Sequence, residues 1–131
     1  MKMPENVMKL LNDKEASKVL TTVDSNGIPH SIVVGSMMAP AEDMLCAAEV
    51  LMKKTAENLK TNKNIAILAV KGMESYSVNG TVIQRQVSGD LFETVAEELK
   101  KVGLPTQAVW TFKPTAIFNQ SAGPDAGKKI L

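Results

Sequence analysis

Cysteine and histidine each occur only once, so the chain has few of the usual side-chain ligands for a metal ion. The 131 residues include one cysteine, Cys46, and one histidine, His30. A lone cysteine excludes an intramolecular disulfide framework, and this pair cannot form a Cys/His zinc cluster within one chain. A Ser-His-Asp triad would have to use His30. The sequence therefore predicts no metal site, and it identifies no catalytic residue.

Arginine and aromatic residues are also scarce. Arg85 is the only arginine among 15 basic residues, and aromatic residues make up 4% of the chain. Arginine is the common residue for bidentate recognition of phosphates and bases, and stacking on single strands requires aromatic rings. The 14 acidic residues leave a net charge of only +1, which gives no general attraction to a phosphate backbone. We therefore expect no nucleic-acid partner.

Long hydrophobic runs are missing as well. No uninterrupted apolar stretch approaches the length of a membrane span, and residues 1–5 lead into a polar helical pattern rather than an apolar signal core. We expect a cytoplasmic protein without membrane association. With 131 residues, 44% of them hydrophobic, the chain is long enough for one domain and too short for two ordinary ones.

Hydrophobic periodicity predicts an alternation of strands and helices. Helices are predicted over residues 4–12, 52–62 and 91–102, and strands over residues 16–24, 30–37, 44–49, 64–71, 75–90 and 107–119. The stretch 75–90 holds one or two strands, with Asn79-Gly80 as a hairpin turn or a bulge. Most turns are too short for parallel crossovers. The pattern predicts a mostly β fold, an antiparallel barrel with helices outside, followed by a mobile or partner-dependent tail over 123–131.

The start of the second predicted helix has the chemistry of an anion site. Lys53, Lys54 and Thr55 follow a strand and open this helix. Free backbone N–H groups and the positive end of the helix dipole gather at such a position. Two lysines there oppose the dipole, and a bound phosphate would remove that conflict. The alternative is a solvated lysine pair beside an ordinary helix cap.

Three segments, taken in their order and spacing, resemble the FMN-binding split-barrel family, the group related to pyridoxamine-5'-phosphate oxidase. They are Asn26 to Ser36, Met44 to Glu49 leading into Lys53-Lys54-Thr55 and Asn58-Leu59, and Asn62 to Leu68. The similarity is greatest to the small single-domain FMN-binding proteins of that family. The resemblance implies one FMN-binding split-barrel domain over residues 1–131. Its fold would be mostly β with flanking helices, a six-stranded antiparallel split β-barrel.

The resemblance also implies roles for particular positions. Lys53, Lys54 and Thr55 match the phosphate-binding segment of the family. The positions that match the strand alongside the flavin ring are Val33, Val34, Gly35 and Ser36, and those on the neighbouring strand are Ala47, Ala48 and Glu49. Asn58 matches a polar position on the helix. Family members are homodimers with FMN at the subunit interface, so the resemblance implies a homodimer that binds FMN.

The sequence departs from the pyridoxamine-phosphate oxidases proper, which use C-terminal Arg and His residues for substrate. Here the only such residues, Arg85 and His30, lie elsewhere, so we do not expect that activity. We expect redox chemistry or electron transfer through non-covalent FMN, with an unknown redox partner, and whether the chain turns over as an oxidoreductase stays open. The alternatives are a flavin- or deazaflavin-dependent reductase or oxidase with its own small substrate, and a cofactor-free or haem-handling barrel.

Overall fold

The computed structural model describes all residues from Met1 to Leu131. It contains three helices and seven strands. The helices are α1 (Glu5–Leu11), α2 (Lys53–Thr61) and α3 (Asp90–Lys100). The strands are β1 (Ser17–Val23), β2 (Pro29–Val33), β3 (Met38–Ala41), β4 (Met44–Glu49), β5 (Asn64–Lys71), β6 (Glu74–Gln86) and β7 (Ala108–Asn119).

All seven strands belong to one sheet in the order β2-β1-β5-β6-β7-β4-β3, and every neighbouring pair is antiparallel. The predicted class, mostly β with flanking helices and an antiparallel sheet, is confirmed, with seven strands instead of six. The additional strand is β3. This strand was not predicted because Pro40 lies inside it, and because only the pairs Met38↔Cys46 and Ala41↔Met44 hold it to β4. Proline within a strand is confined to edges and bulges, and β3 is an edge.

The second predicted strand is shorter than expected. It ends at Val33, whereas the sequence pattern extended it to Met37. The backbone N–H of Val34 still donates to the carbonyl of Lys18 at 2.9 Å, but the chain then turns, with the N–H of Met37 donating to the carbonyl of Val34 at 3.3 Å. Apolar residues continue through this turn because Val34 and Met37 both point into the core. Burial, rather than strand structure, accounts for the apolar run.

The Asn79-Gly80 dipeptide is a bulge and not a hairpin turn. Strand β6 runs without a break from Glu74 to Gln86, and its pairing with β7 shifts register between Asn79 and Gly80. A Cβ atom on Gly80 would lie 2.8 Å from the carbonyl oxygen of Lys113 on β7. The backbones thus approach too closely for a side chain, which is a common reason for glycine inside a strand.

The predicted mobile tail instead pairs with β7. The N–H groups of Ile117 and Asn119 donate to the carbonyls of Leu131 and Lys128 at 2.9 and 2.8 Å, and the N–H of Ile130 donates back to Ile117 at 2.7 Å. Strand β4 pairs with β7 only as far as Phe112. The tail therefore supplies acceptors to the part of the β7 edge that β4 leaves free. The expectation of a mobile tail was wrong because the free edge is a tertiary feature that the tail residues do not encode.

The hydrophobic core lies on the inner face of the sheet. It is a cluster of 21 buried residues, to which α1 contributes Val7, Leu10 and Leu11. A second cluster of four buried residues, Cys46, Ala48, Val95 and Val109, lies on the other face of β4 and β7, beneath α3. The longest helix has 11 residues, and no helix is long and apolar enough to cross a membrane.

Candidate functional site

An apolar cavity of about 290 Å³ lies where the turn after β2 meets the end of β4. The hydroxyl oxygen of Ser36 in that turn accepts a hydrogen bond from the backbone N–H of Ala48 at 3.0 Å. This bond joins the two parts of the sheet that the strand order separates. Nine of the 11 lining residues are hydrophobic, and the full set is Ile32, Val33, Val34, Gly35, Ser36, Ala48, Val50, Leu51, Met52, Leu99 and Leu104.

Five of the residues expected beside a flavin ring meet in this apolar cavity: Val33, Val34, Gly35, Ser36 and Ala48. They come from separate segments, and the hydrogen bond at Ser36 brings those segments together. Small residues let a planar ligand approach the backbone closely. Because side chains alternate along a strand, Ala47 points the other way, into the main core. The Ala47 side chain therefore lies outside the cavity.

Helix α2 begins beside this cavity without a capping side chain. Its N-cap residue, Met52, lines the cavity and offers no side-chain acceptor. The first helical hydrogen bond is donated by the N–H of Ala56 to the carbonyl of Met52 at 2.8 Å, and the N–H groups of Lys53, Lys54 and Thr55 have no acceptor. Unpaired N–H groups at the positive end of a helix attract anions. The Lys53 and Lys54 side chains are exposed at the same end.

Thr55 adds a second polar group at this helix end. The residue is completely buried, and its hydroxyl oxygen has no hydrogen-bond partner. A buried hydroxyl without a partner costs about 1–3 kcal/mol. Such groups are rare in native proteins, and a bound ligand is one explanation for them. The anion site predicted from Lys53, Lys54 and Thr55 therefore has both free donors and an unsatisfied buried hydroxyl.

A second, more polar cavity of about 610 Å³ adjoins the apolar one and shares Val50, Leu51 and Met52 with it. We call it the polar cavity. Its charged lining residues are Glu49, Lys53, Glu57 and Lys60. The two cavities thus flank the segment that leads into α2. This segment was absent from the predicted site, although the apolar pair Leu51-Met52 directly before two lysines is a visible signal in the sequence.

Glu49 is buried, and two neighbouring side chains hold its carboxylate in place. Its carboxylate accepts hydrogen bonds from Nε and Nη2 of Arg85 at 3.1 and 2.9 Å, and from the indole N–H of Trp110 at 2.8 Å. The Arg85 hydrogen bonds, assisted by that from Trp110, lower the pKa of Glu49 below its usual 4.5, while burial opposes the shift. Arg85 and Trp110 lie 36 and 61 residues away along the chain, so this cluster could not be predicted from local sequence patterns.

Asn58 occupies a buried position away from both cavities. Its side-chain amide donates to the hydroxyl of Thr22 on β1 at 3.1 Å, and both residues are buried. The interaction ties α2 to the sheet beneath it. The structure therefore places Glu49 and Lys53 at the polar cavity. Lys54 and Thr55 lie at the adjoining helix end. Ala47 and Asn58 line neither cavity.

No activated nucleophile lies in either cavity. Cys46 is buried in the small cluster under α3, and burial raises its pKa to about 11, which keeps the thiol protonated and unreactive at neutral pH. His30 lines neither cavity. Ser36 is the only side-chain hydroxyl on the apolar cavity, and it is already engaged with Ala48. The site is equipped to bind and enclose a ligand rather than to attack one.

Residues 3–121 match the family model described as pyridoxamine 5'-phosphate oxidase. Among solved structures, HupZ of Group A Streptococcus is 27% identical, with 95% of this chain and 100% of that chain covered and a TM-score of 0.80. No curated protein matches the sequence.

Two further solved structures are similar in fold. An FMN-binding protein from Syntrophomonas wolfei is 20% identical over 92% of this chain and 87% of that chain, with a TM-score of 0.84. HutZ, the haem storage protein from Vibrio cholerae, is 13% identical over 92% and 97%, with a TM-score of 0.65.

Proposed function

Because the chain belongs to the pyridoxamine 5'-phosphate oxidase family, we propose that it is a flavoprotein that binds FMN non-covalently and transfers electrons through it. The observation that carries the proposal is the uncapped start of α2, where the buried Thr55 hydroxyl lacks a partner. This anion site adjoins an apolar cavity. A phosphate group joined to a flat, largely apolar ring has complementary chemistry.

The phosphate is the part of FMN that the start of α2 fits. The N–H groups of Lys53, Lys54 and Thr55 and the Thr55 hydroxyl are available as donors. Hydrogen bonds to an ionised phosphate are stronger than those between neutral groups. The two lysine ammonium groups, which oppose the helix dipole when no ligand is bound, would then face a negative charge.

The ring is the part that the apolar cavity fits. Val33, Val34 and Ala48 offer apolar surface, and Gly35 has no side chain to hold a ring away. The backbone N–H groups of Gly35 and Ser36, which make no backbone hydrogen bond, supply polar groups for the ring edge. FMN, when bound, supplies electron and hydride transfer. The chain binds the cofactor, orients it and limits its contact with water.

A homodimer is part of the proposal, and the outer face of the sheet supports it. Two open clefts on this face are lined by residues of β1, β5, β6 and β7 together with Gln120, and none of their lining residues is charged. Charged residues make up 22% of the chain. A neutral face crossing four strands suits an interface between two copies, since interface centres are depleted in charge.

The first experiment is an absorption spectrum of the purified protein before and after incubation with FMN and desalting. We expect a retained flavin spectrum near one equivalent per chain. Retention only of the deazaflavin F420, or a Soret band only after haem addition, would contradict the FMN assignment and favour the corresponding alternative cofactor. A protein that retains none of the three would contradict the proposed function.

The variant that tests the phosphate assignment is Lys53→Ala/Lys54→Ala. Loss of two ammonium groups at the anion site should weaken FMN binding by about tenfold to a hundredfold, with a smaller effect at high salt. The matched control is Lys100→Ala/Lys101→Ala, an adjacent exposed pair at the C-terminal end of α3. The control should bind FMN like the parent protein. Equal affinity of both double variants would refute the phosphate site at α2.

A further inference from the structure

The only arginine of the chain, Arg85, is partly exposed and does not line the polar cavity, but it binds Glu49, which does. Arg85 donates hydrogen bonds to both carboxylate oxygens of Glu49, from Nε to Oε1 at 3.1 Å and from Nη2 to Oε2 at 2.9 Å. Such a two-point contact fixes the carboxylate in direction as well as in position. Trp110 donates a third hydrogen bond to the same carboxylate at 2.8 Å. Glu49 is 7% exposed, so its charge is poorly screened by solvent.

The charges around the polar cavity are balanced without Arg85. The lining carries two lysines, Lys53 and Lys60, and two glutamates, Glu49 and Glu57. These four charges cancel. Once the guanidinium bound to Glu49 and the Lys54 ammonium at the start of α2 are included, the surroundings of the α2 start carry two net positive charges. Arg85 thus supplies one of the two charges by which this region attracts an anion.

We propose that Arg85 is a positioning residue for the phosphate of the flavin, acting through Glu49 and not by touching the ligand. This inference rests on the proposed function, and it adds a reason for the site to take phosphorylated flavin in preference to riboflavin. By pairing with Glu49, Arg85 neutralises the buried carboxylate next to the anion site. The carboxylate accepts its hydrogen bonds from Arg85 and Trp110 and none from the N–H groups of α2, which remain free for the phosphate.

The effect of removing Arg85 should depend on the charge of the ligand. In Arg85→Met, Glu49 keeps only the Trp110 hydrogen bond, and its negative charge acts on the α2 start. At an effective dielectric constant between those of water and protein, one uncompensated charge near the ligand weakens anion binding about threefold to tenfold. The affinity for a neutral ligand is not changed by this charge.

The experiment compares FMN with riboflavin, which carries the same ring without the phosphate. Both are titrated into the parent protein, Arg85→Met, Glu49→Gln and the double variant Glu49→Gln/Arg85→Met at low and high salt. We expect Arg85→Met to lose FMN affinity about threefold to tenfold and to keep its riboflavin affinity within about twofold. The double variant, which has neither charge, should recover the FMN affinity of the parent within about twofold.

Each other outcome has a definite meaning. If the parent protein binds no flavin, the proposed function fails. If it binds FMN and Arg85→Met binds FMN equally well, only the role of Arg85 is refuted. A double variant that stays as weak as Arg85→Met would show that Arg85 contacts the phosphate directly, which contradicts action through Glu49.

The single variant Glu49→Gln keeps the proposal testable if Arg85→Met fails to fold, which circular dichroism would reveal. This change removes the negative charge and keeps the guanidinium. It should bind FMN at least as tightly as the parent. Weaker FMN binding by a folded Glu49→Gln protein would overturn the inference.

Discussion

Thr55 has no exposed surface, and its hydroxyl makes no hydrogen bond. Replacement by valine keeps the shape and removes the unsatisfied group. Because a buried unpaired hydroxyl is costly, we expect Thr55→Val to leave the ligand-free protein equally stable or more stable by about 1 kcal/mol. The same change removes a donor to an ionised phosphate, so FMN affinity should fall about tenfold. Thermal unfolding and flavin titration measure the two effects.

Thr22 provides the matched control for Thr55. It is equally buried, but its hydroxyl accepts the amide hydrogen bond of Asn58 at 3.1 Å. Thr22→Val should therefore destabilise the protein by about 1–3 kcal/mol, because the Asn58 amide loses its acceptor. If Thr55→Val destabilises as much as Thr22→Val, the Thr55 hydroxyl has a partner in solution, and the case for a ligand at that position is lost.

Single residues also show why part of the site could be predicted and part could not. The start of α2 was predicted from Lys53, Lys54 and Thr55 because an anion site at a helix terminus is a local property. Seven ring-side residues were predicted from resemblance, and the structure gathers five of them in one cavity. The environment of Glu49 could not be predicted, because its partners Arg85 and Trp110 reach it only through the pairing of distant strands.

At the scale of elements, the strands and helices predicted from the sequence are confirmed where the local pattern and the tertiary structure agree. Strand β5 was predicted over residues 64–71 and has those bounds, since an apolar run between polar residues and a glycine is a strong local signal. The prediction failed for β3, which two residue pairs hold at an edge. It also failed for the tail, whose strand partner is selected by the free edge of β7. Weak local signals at sheet edges explain both errors.

The docked tail gives a prediction at this scale. Truncation after Gln120 removes the carbonyls of Lys128 and Leu131, which accept from Asn119 and Ile117. We expect amide hydrogen exchange at these two β7 positions to accelerate at least about tenfold, since exposed edge amides open with little free energy. The control amides are those of Val109 and Thr111, between β4 and β6, which should keep their protection. Unchanged exchange at Ile117 would mean that the tail does not pair with β7 in solution.

At the scale of the whole molecule, the outer face of the sheet is an unusual surface for a solitary chain. Strand β5 lies centrally, yet only its inward residues are buried, and Leu68 on the outer face remains 39% exposed. Around it, the two clefts carry hydroxyl, amide and small apolar side chains without a charge. A second copy seated on this face would bury the outer side of β5.

A charge placed on this face should therefore separate the two copies. We expect the parent protein to be a dimer by light scattering, and Leu68→Asp to be a folded monomer, since burying an unpaired carboxylate at an interface is strongly unfavourable. If FMN binds between subunits, the monomer should also lose FMN.

The control is Met73→Asp. Met73 is 77% exposed in the turn between β5 and β6, outside both clefts, and its variant should remain dimeric with FMN bound. A dimeric Leu68→Asp protein would place the interface elsewhere, and a monomeric parent would refute the dimer. A monomeric Leu68→Asp protein that still binds FMN would show that one chain holds the whole cofactor site, with the start of α2 and the apolar cavity sufficient for binding.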